Sequence, residues 1–60
     1  MDIADAKQRG YQAVPVAKGN QGIVWQVYLA GQLFDRQEFG TEAEAWTHAI
    51  DLINADQYNH

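Results

Sequence analysis

The sequence predicts an α+β domain, a two-layer sandwich in which a three-stranded antiparallel β-meander is followed by one C-terminal helix. Three observations support this fold class. Segments before position 40 have the alternation and β-branched content of strands, and the segment after position 41 repeats with a helical period. Between them, Thr41 and Glu44 have the spacing of a capping box, which marks the first turn of a helix.

The first two strands are predicted at 11–17 and 23–30. Pro15 lies in the first of them and has no backbone N–H for a ladder, so we place that strand at a sheet edge. The segment 18–22 carries the glycine and asparagine that a hairpin loop requires. The second strand is almost continuously β-branched and aromatic, and it is the strongest strand signal in the chain.

The third strand is predicted at 33–39, after a two-residue turn at Gly31-Gln32 in which glycine supplies the positive φ of a tight hairpin. Phe39 comes two residues before the helix cap, so we expect it to hold the helix against the sheet. Phe34 has the opposite parity, which places it on the other sheet face unless a bulge intervenes.

The helix is predicted at 42–54. Its apolar residues form a stripe along one side, and acidic and polar residues occupy the rest of the helix surface. The stripe consists of Ala45, Trp46, Ala49, Ile50, Leu52 and Ile53.

We expect a single domain at 11–55, a flexible or short-helical arm at 1–10 and a frayed tail at 56–60. A chain of 60 residues buries only about 60% of the surface of its unfolded form, so its core is small. Without cysteine, disulfides cannot supplement that core, which leaves efficient packing or self-association.

Several classes of chemistry are disfavoured by composition. The chain contains neither serine nor cysteine, so the common nucleophile–histidine arrangements are missing, and no glycine-rich phosphate loop is present. We therefore expect no enzyme activity, no catalytic residue, no cofactor and no small-molecule substrate. The N-terminal residues do not resemble a secretory signal, and no apolar run approaches the roughly 20 residues of a membrane span, so we expect a cytoplasmic protein.

One spacing on the helix is compatible with a metal ion. Glu44, His48 and Asp51 stand at i, i+4 and i+7, so an imidazole and two carboxylates share one helix face. The second histidine of the familiar zinc motif is missing, and we interpret the group as surface neighbours with no bound metal.

The parity of the second strand divides the sheet into two faces. Its odd-numbered residues are the more hydrophobic, so we expect them to face the helix together with Val14 and Val16. The opposite face then carries an aromatic patch that is large for a monomer, unless the arm or the tail folds over it. This candidate interaction face consists of Tyr11, Ala13, Val24, Gln26, Tyr28 and Phe34.

Charge suggests two further hypotheses. The net charge is −4, and every basic residue lies within the first 36 positions, so the helix repels phosphate backbones and nucleic acid is disfavoured as a partner. A weaker alternative is a sheet that stacks bases on Tyr28 and Trp25 beside Arg36. The other alternative is an acidic inhibitor of a basic partner, or simply a solvated face, formed by Glu38, Glu42, Glu44 and Asp51.

Two motifs carry a resemblance to known families: Trp25-x-Val27-x-Leu29-x-Gly31, and Phe39-x-Thr41-x-x-Glu44-Ala45 followed by a helix. Over residues 11–53 the chain resembles the AP2-like N-terminal domain of phage-type integrases and the fold of HicB-type antitoxins. The resemblance implies the three-strand-plus-helix fold and a bacterial, phage or mobile-element origin. The integrase domain enters DNA with a basic sheet, whereas this chain is acidic, so the DNA-binding role is not carried over.

The function that the sequence favours is a small, non-catalytic protein-interaction module. Its partner is another protein or a second copy of the chain, bound through the sheet face opposite the helix.

Overall fold

A computed structural model describes residues 1–58. It contains three antiparallel strands in one sheet followed by a C-terminal helix, which confirms the predicted α+β class. An additional short helix precedes the sheet. In chain order the elements are α1 (Ile3–Gln8), β1 (Tyr11–Ala17), a 3₁₀ turn (Gly19–Gln21), β2 (Ile23–Leu29), β3 (Gln32–Leu33) and α2 (Glu42–Tyr58).

The register of the β1–β2 hairpin decides which residues share a face. The strand order is β1-β2-β3, and Ala17 lies opposite Ile23 across the loop at 18–22. Ala13 consequently pairs with Val27 and Tyr11 with Leu29, so the odd-numbered residues of both strands point to the same side.

The turn between β2 and β3 consists of Ala30 and Gly31, one residue earlier than predicted. Both have positive φ, 53° and 80°, as the right-handed twist of a two-residue hairpin demands. Gln32 is already in β3, where it pairs with Leu29.

The predicted strand at 33–39 is wrong beyond its first residue. The Phe34 N–H still donates to the Val27 carbonyl, but the next pairing is an isolated bridge between Phe39 and Trp25. One residue separates Val27 from Trp25, whereas the four residues 35–38 separate Phe34 from Phe39. The additional residues form a bulged loop that ends regular pairing. The loop also changes which face odd- and even-numbered residues point to, so Phe34 and Phe39 face the same side of the sheet.

Two contacts of one side chain hold this loop away from the ladder. Asp35 Oδ1 accepts a hydrogen bond from the Gln37 N–H at 3.1 Å, a local turn that competes with strand pairing. Asp35 Oδ2 lies 2.7 Å from His48 Nε2 on α2. The bulge is therefore fixed by the sheet, by its own backbone and by the helix.

The start of α2 lies where the capping box places it. The Glu44 N–H donates to Thr41 Oγ1 at 3.2 Å, and the Thr41 hydroxyl donates to Glu44 Oε1 at 3.0 Å. The C-terminal end lies further along than expected, because α2 continues past Asn54 to Tyr58. The predicted frayed tail at 56–60 is thus helical as far as residue 58, and residues 59 and 60 lie outside the described residues.

The N-terminal arm, expected to be flexible or a short helix, contains α1. Asp2 Oδ1 accepts from the Asp5 N–H at 2.9 Å, and Asp5 Oδ2 accepts from the Asp2 N–H at 3.4 Å. This reciprocal cap offsets the low intrinsic stability of a helix of six residues. Ala6 is completely buried, so α1 is part of the packed structure.

The core lies entirely on one side of the sheet, between the odd-numbered strand residues and both helices. Trp25 and Val27 face it as predicted, but the expectation that Val14 and Val16 join it is wrong, because their register pairs them with Gln26 and Val24. The buried residues are Ala6, Val27, Ala45, Trp46, Ala49 and Ile53, with Tyr11, Ala13, Trp25, Phe39 and Ile50 packed against them.

Candidate interaction surface

The sheet face opposite the helices, hereafter the open face, is formed by the even-numbered residues of β1 and β2 together with Leu33. Both helices pack on the other side, and within residues 1–58 no helix or strand covers the open face. The open face consists of Gln12, Val14, Val16, Val24, Gln26, Tyr28 and Leu33.

Half of the predicted interaction face lies here. Val24, Gln26 and Tyr28 are on the open face, but the placement of Tyr11 and Ala13 there is wrong. These two residues pair with Leu29 and Val27, which puts them on the helix side, against the core.

Phe34 is also on the helix side, because the bulge at 35–38 reverses the parity that the sequence suggested. Its backbone pairs with Val27, whose side chain is completely buried in the core. The Phe34 ring meets the Tyr11 ring edge to face, with centroids 5.6 Å apart, and remains 42% exposed. It therefore forms the margin of the core and contributes nothing to the open face.

An apolar centre and a polar end give the open face the composition of an interface. Val16 lies opposite Val24, and Tyr28 lies opposite Leu33, which is 43% exposed. At the polar end, Glu38 accepts a hydrogen bond from the Gln26 amide at 3.3 Å and forms an ion pair of 2.7 Å with Lys18. Apolar centres with polar rims are typical of protein–protein contacts.

The size of the open face limits the affinity that it can provide. A strand of seven residues is about 23 Å long, and two strands with their side chains are about 12 Å wide, giving a footprint of roughly 300 Å². Stable interfaces bury about 800 Å² on each partner. The open face alone therefore offers area only for a weak, reversible contact.

The proposed acidic face is not one surface. Glu38 belongs to the polar end of the open face, and Glu42 accepts a hydrogen bond from the Trp46 indole at 3.1 Å beside α1. Glu44 and Asp51 line the same depression on α2. They lie on a different side of the helix from Glu42, because Glu42 and Glu44 are two residues apart and point in nearly opposite directions. The four carboxylates are thus divided among three places.

A shallow depression on α2 surrounds His48. The imidazole ring lies 4.9 Å from the Phe39 ring and contacts Asp35, which ties the bulged loop to the helix. The depression measures about 360 Å³ and is lined by Phe39, Ala43, Glu44, Thr47, His48 and Asp51. Among residues 1–58, no three His, Cys, Asp or Glu side chains are arranged to hold a metal ion.

No family model matches this chain, and no curated protein or solved structure matches it significantly. The resemblance to AP2-like and HicB-type domains therefore stays a prediction.

Neither helix within residues 1–58 combines the length and the apolar character that crossing a bilayer requires.

Sequence reasoning missed three apolar residues of the open face, Val14, Val16 and Leu33. For the two valines, a usable signal was present in the length of the hairpin loop. A loop at 18–22 makes residues 17 and 23 partners, so odd positions pair with odd positions throughout the hairpin.

Proposed function

We propose that this protein is a non-catalytic interaction module that binds protein surfaces, including a second copy of itself, through the open face. One observation carries the proposal: an apolar group built from three strands has no covering element in residues 1–58, while the core occupies the opposite side. The cytoplasmic setting of the module rests on composition alone.

Self-association is the form of this function that can be tested without knowing another partner. Because the footprint is about 300 Å² per copy, we expect a dissociation constant in roughly the 0.1–1 mM range. The methyl resonances of Val24 and Leu33, which lie on β2 and β3, should shift as the protein concentration is raised to about 1 mM.

Two neighbouring residues of β2 provide a matched pair of variants. Val24 lies on the open face, whereas Ile23 points to the helix side and is 59% exposed. Val24→Lys places a charge in the apolar centre and should abolish the concentration-dependent methyl shifts, while Ile23→Lys should preserve them. Circular dichroism establishes whether both variants are folded. If the Val24→Lys protein is unfolded, Leu33→Glu takes its place.

Methyl resonances that stay constant up to about 1 mM, or equal effects of the two lysine variants, would exclude self-association through the open face.

The two alternatives have less support. On the open face, the ammonium group of Lys18 is already paired with Glu38, so the polar end offers little attraction to phosphate. An acidic inhibitor needs its carboxylates on one surface, and those of this chain are divided among three places.

A further inference from the structure

The free edge of β1 is a second surface, separate from the open face. β1 is the outer strand of the sheet, and no strand pairs with its other edge within residues 1–58. The Gly10 carbonyl and the Lys18 N–H both bond to the β2 side of the hairpin, at Ala30 and Gly22 respectively. The backbone N–H and C=O groups of the even-numbered residues of β1 therefore point toward β2. Those of Tyr11 and Ala13 point outward, away from β2 and toward the free edge.

A groove of about 460 Å³ runs along this edge. Its strand wall is formed by residues 11–15, and Lys7, Glu42 and Trp46 complete it on the helix side. The two charged groups both contact the indole: Lys7 Nζ lies 5.6 Å from its ring centroid, and Glu42 accepts its N–H. Among residues 1–58, neither charge forms an ion pair within 4.0 Å.

We infer that the occupant of this edge is a second copy of the chain, paired antiparallel about a two-fold axis at Gln12. In that register Tyr11 of each copy faces Ala13 of the other, and the outward groups form four backbone hydrogen bonds. Pro15 favours this axis. An axis at Ala13 would also form four bonds, but it would set the Pro15 ring, which carries no N–H, against the Tyr11 carbonyl of the second copy and leave that carbonyl unpaired on each side.

The charges along the groove are complementary under the same symmetry. Lys7 lies near the Tyr11 end of the groove, because the Lys7 carbonyl accepts a hydrogen bond from the N–H of Gly10, the residue before Tyr11. Glu42 lies near the Pro15 end, because α2 starts just after the bridge between Phe39 and Trp25, and Trp25 pairs with Pro15. The two-fold axis brings the Tyr11 end of one copy beside the Pro15 end of the other. Lys7 of each copy therefore approaches Glu42 of the other copy, which gives two such pairs.

Edge pairing deepens the proposed function and rests on it, because the enlarged platform matters only if the open face binds a protein. It joins two three-stranded sheets into one of six strands, whose open faces lie on the same side and form one platform of roughly 600 Å². That area approaches the surface that a stable interface buries on one partner.

The experiment uses the Val24→Lys protein, in which contact through the open face is removed, and measures its dimerisation by sedimentation equilibrium. Adding Lys7→Glu should weaken the dimer by at least about tenfold, since the carboxylate introduced in each copy then faces Glu42 of the other. Adding Glu42→Lys should do the same through two lysines. The combined Lys7→Glu and Glu42→Lys exchange restores both opposite-charge pairs and should restore dimerisation.

Hydrogen exchange gives an independent measurement of the same contact. The N–H groups of Tyr11 and Ala13 should become protected from exchange as the concentration rises, whereas the outward N–H of Ala17, beyond Pro15, should not. If the Glu42→Lys protein is unfolded, Lys7→Glu and the exchange data decide the question alone.

A Val24→Lys protein that stays monomeric at about 1 mM, or a charge exchange that fails to restore the dimer, would overturn edge pairing and leave the edge to an extended peptide of another protein. Neither result affects the methyl shifts of the open face, so the two proposals fail separately.

Discussion

At the scale of single residues, Ala30 is the one non-glycine residue with positive φ among those described. Its φ of 53° is in the left-handed region, where a β-carbon crowds the following carbonyl. The turn needs this conformation because two residues must reverse the chain between Leu29 and Gln32.

Ala30→Gly should therefore raise the free energy of unfolding by about 1 kcal/mol, because glycine adopts positive φ without steric cost. Urea denaturation followed by circular dichroism measures this change. Ala55→Gly, at an exposed position within α2, is the matched control and should lower the stability by about 1 kcal/mol. A destabilised Ala30→Gly protein would contradict the strain described for this turn.

The two tryptophans differ in how much of the core depends on them. Trp46 is 4% exposed and its N–H is bonded to Glu42, whereas Trp25 is only half-buried. Three of the six buried residues are alanines, so Trp46 supplies much of the apolar surface that the core buries.

Trp46→Ala should cost about 3–5 kcal/mol, and Trp25→Ala distinctly less, because the cost of truncation follows the burial of the removed atoms. Equilibrium unfolding in urea compares the two, and Trp46→Phe provides a milder variant if the alanine protein does not fold. A larger loss for Trp25→Ala would show that the indole of Trp46 is not the centre of the core.

At the scale of secondary-structure elements, local signals predicted both ends of β1, the start of β2 and the start of α2. The end of β1 and the start of α2 follow from the glycine-rich loop and the capping box, and the edge position of β1 follows from Pro15; all three signals act over a few residues. The bulge at 35–38 was not predicted, because one of the two contacts that hold it joins Asp35 to His48, thirteen residues away in the chain. β-branched and aromatic content cannot reveal such a contact, and for this reason the third strand was predicted too long.

The short helix α1 gives an element whose stability depends on pH. The hydrogen bond from the Asp5 N–H lowers the pKa of Asp2 below its ordinary value of 3.8. A lowered folded-state pKa means that the cap stabilises α1 above pH 3.8 and that this contribution is lost as the pH falls through the folded pKa.

We therefore expect the amide resonance of Asp5 to lose its capped chemical shift in acid, in step with protonation of Asp2. Asp2→Asn is the control, since asparagine accepts the same hydrogen bond without titrating in this range. Identical acid titrations of the Asp5 amide in both proteins would show that the carboxylate of Asp2 is not the cause.

At the scale of the whole molecule, the fold class was predictable, but the composition of the open face was not fully so. Hydrophobicity favoured Val14 and Val16 for the core over Ala13, yet the hairpin register gives the smaller residue to the helix side. Ala13 leaves room there for α2, whose own buried residues Ala45 and Ala49 are equally small. The core is consequently modest, and Val14, Val16 and Val24 stay outside it, partly exposed on the open face.

This distribution couples binding to stability. A small core leaves little free energy of folding in reserve, so any partner that binds only the folded form adds measurably to it. The protein should accordingly be harder to unfold at concentrations where its copies associate.

The two-residue length of β3 has a consequence for aggregation. A sheet with two long free edges can recruit further sheets at both ends and grow into a fibre. In this molecule one edge is long, while the opposite one offers only Gln32 and Leu33 before the chain bulges away at Asp35. If the long edges of two molecules pair, no comparable edge remains within residues 1–58, and growth by further strand addition should stop at that point.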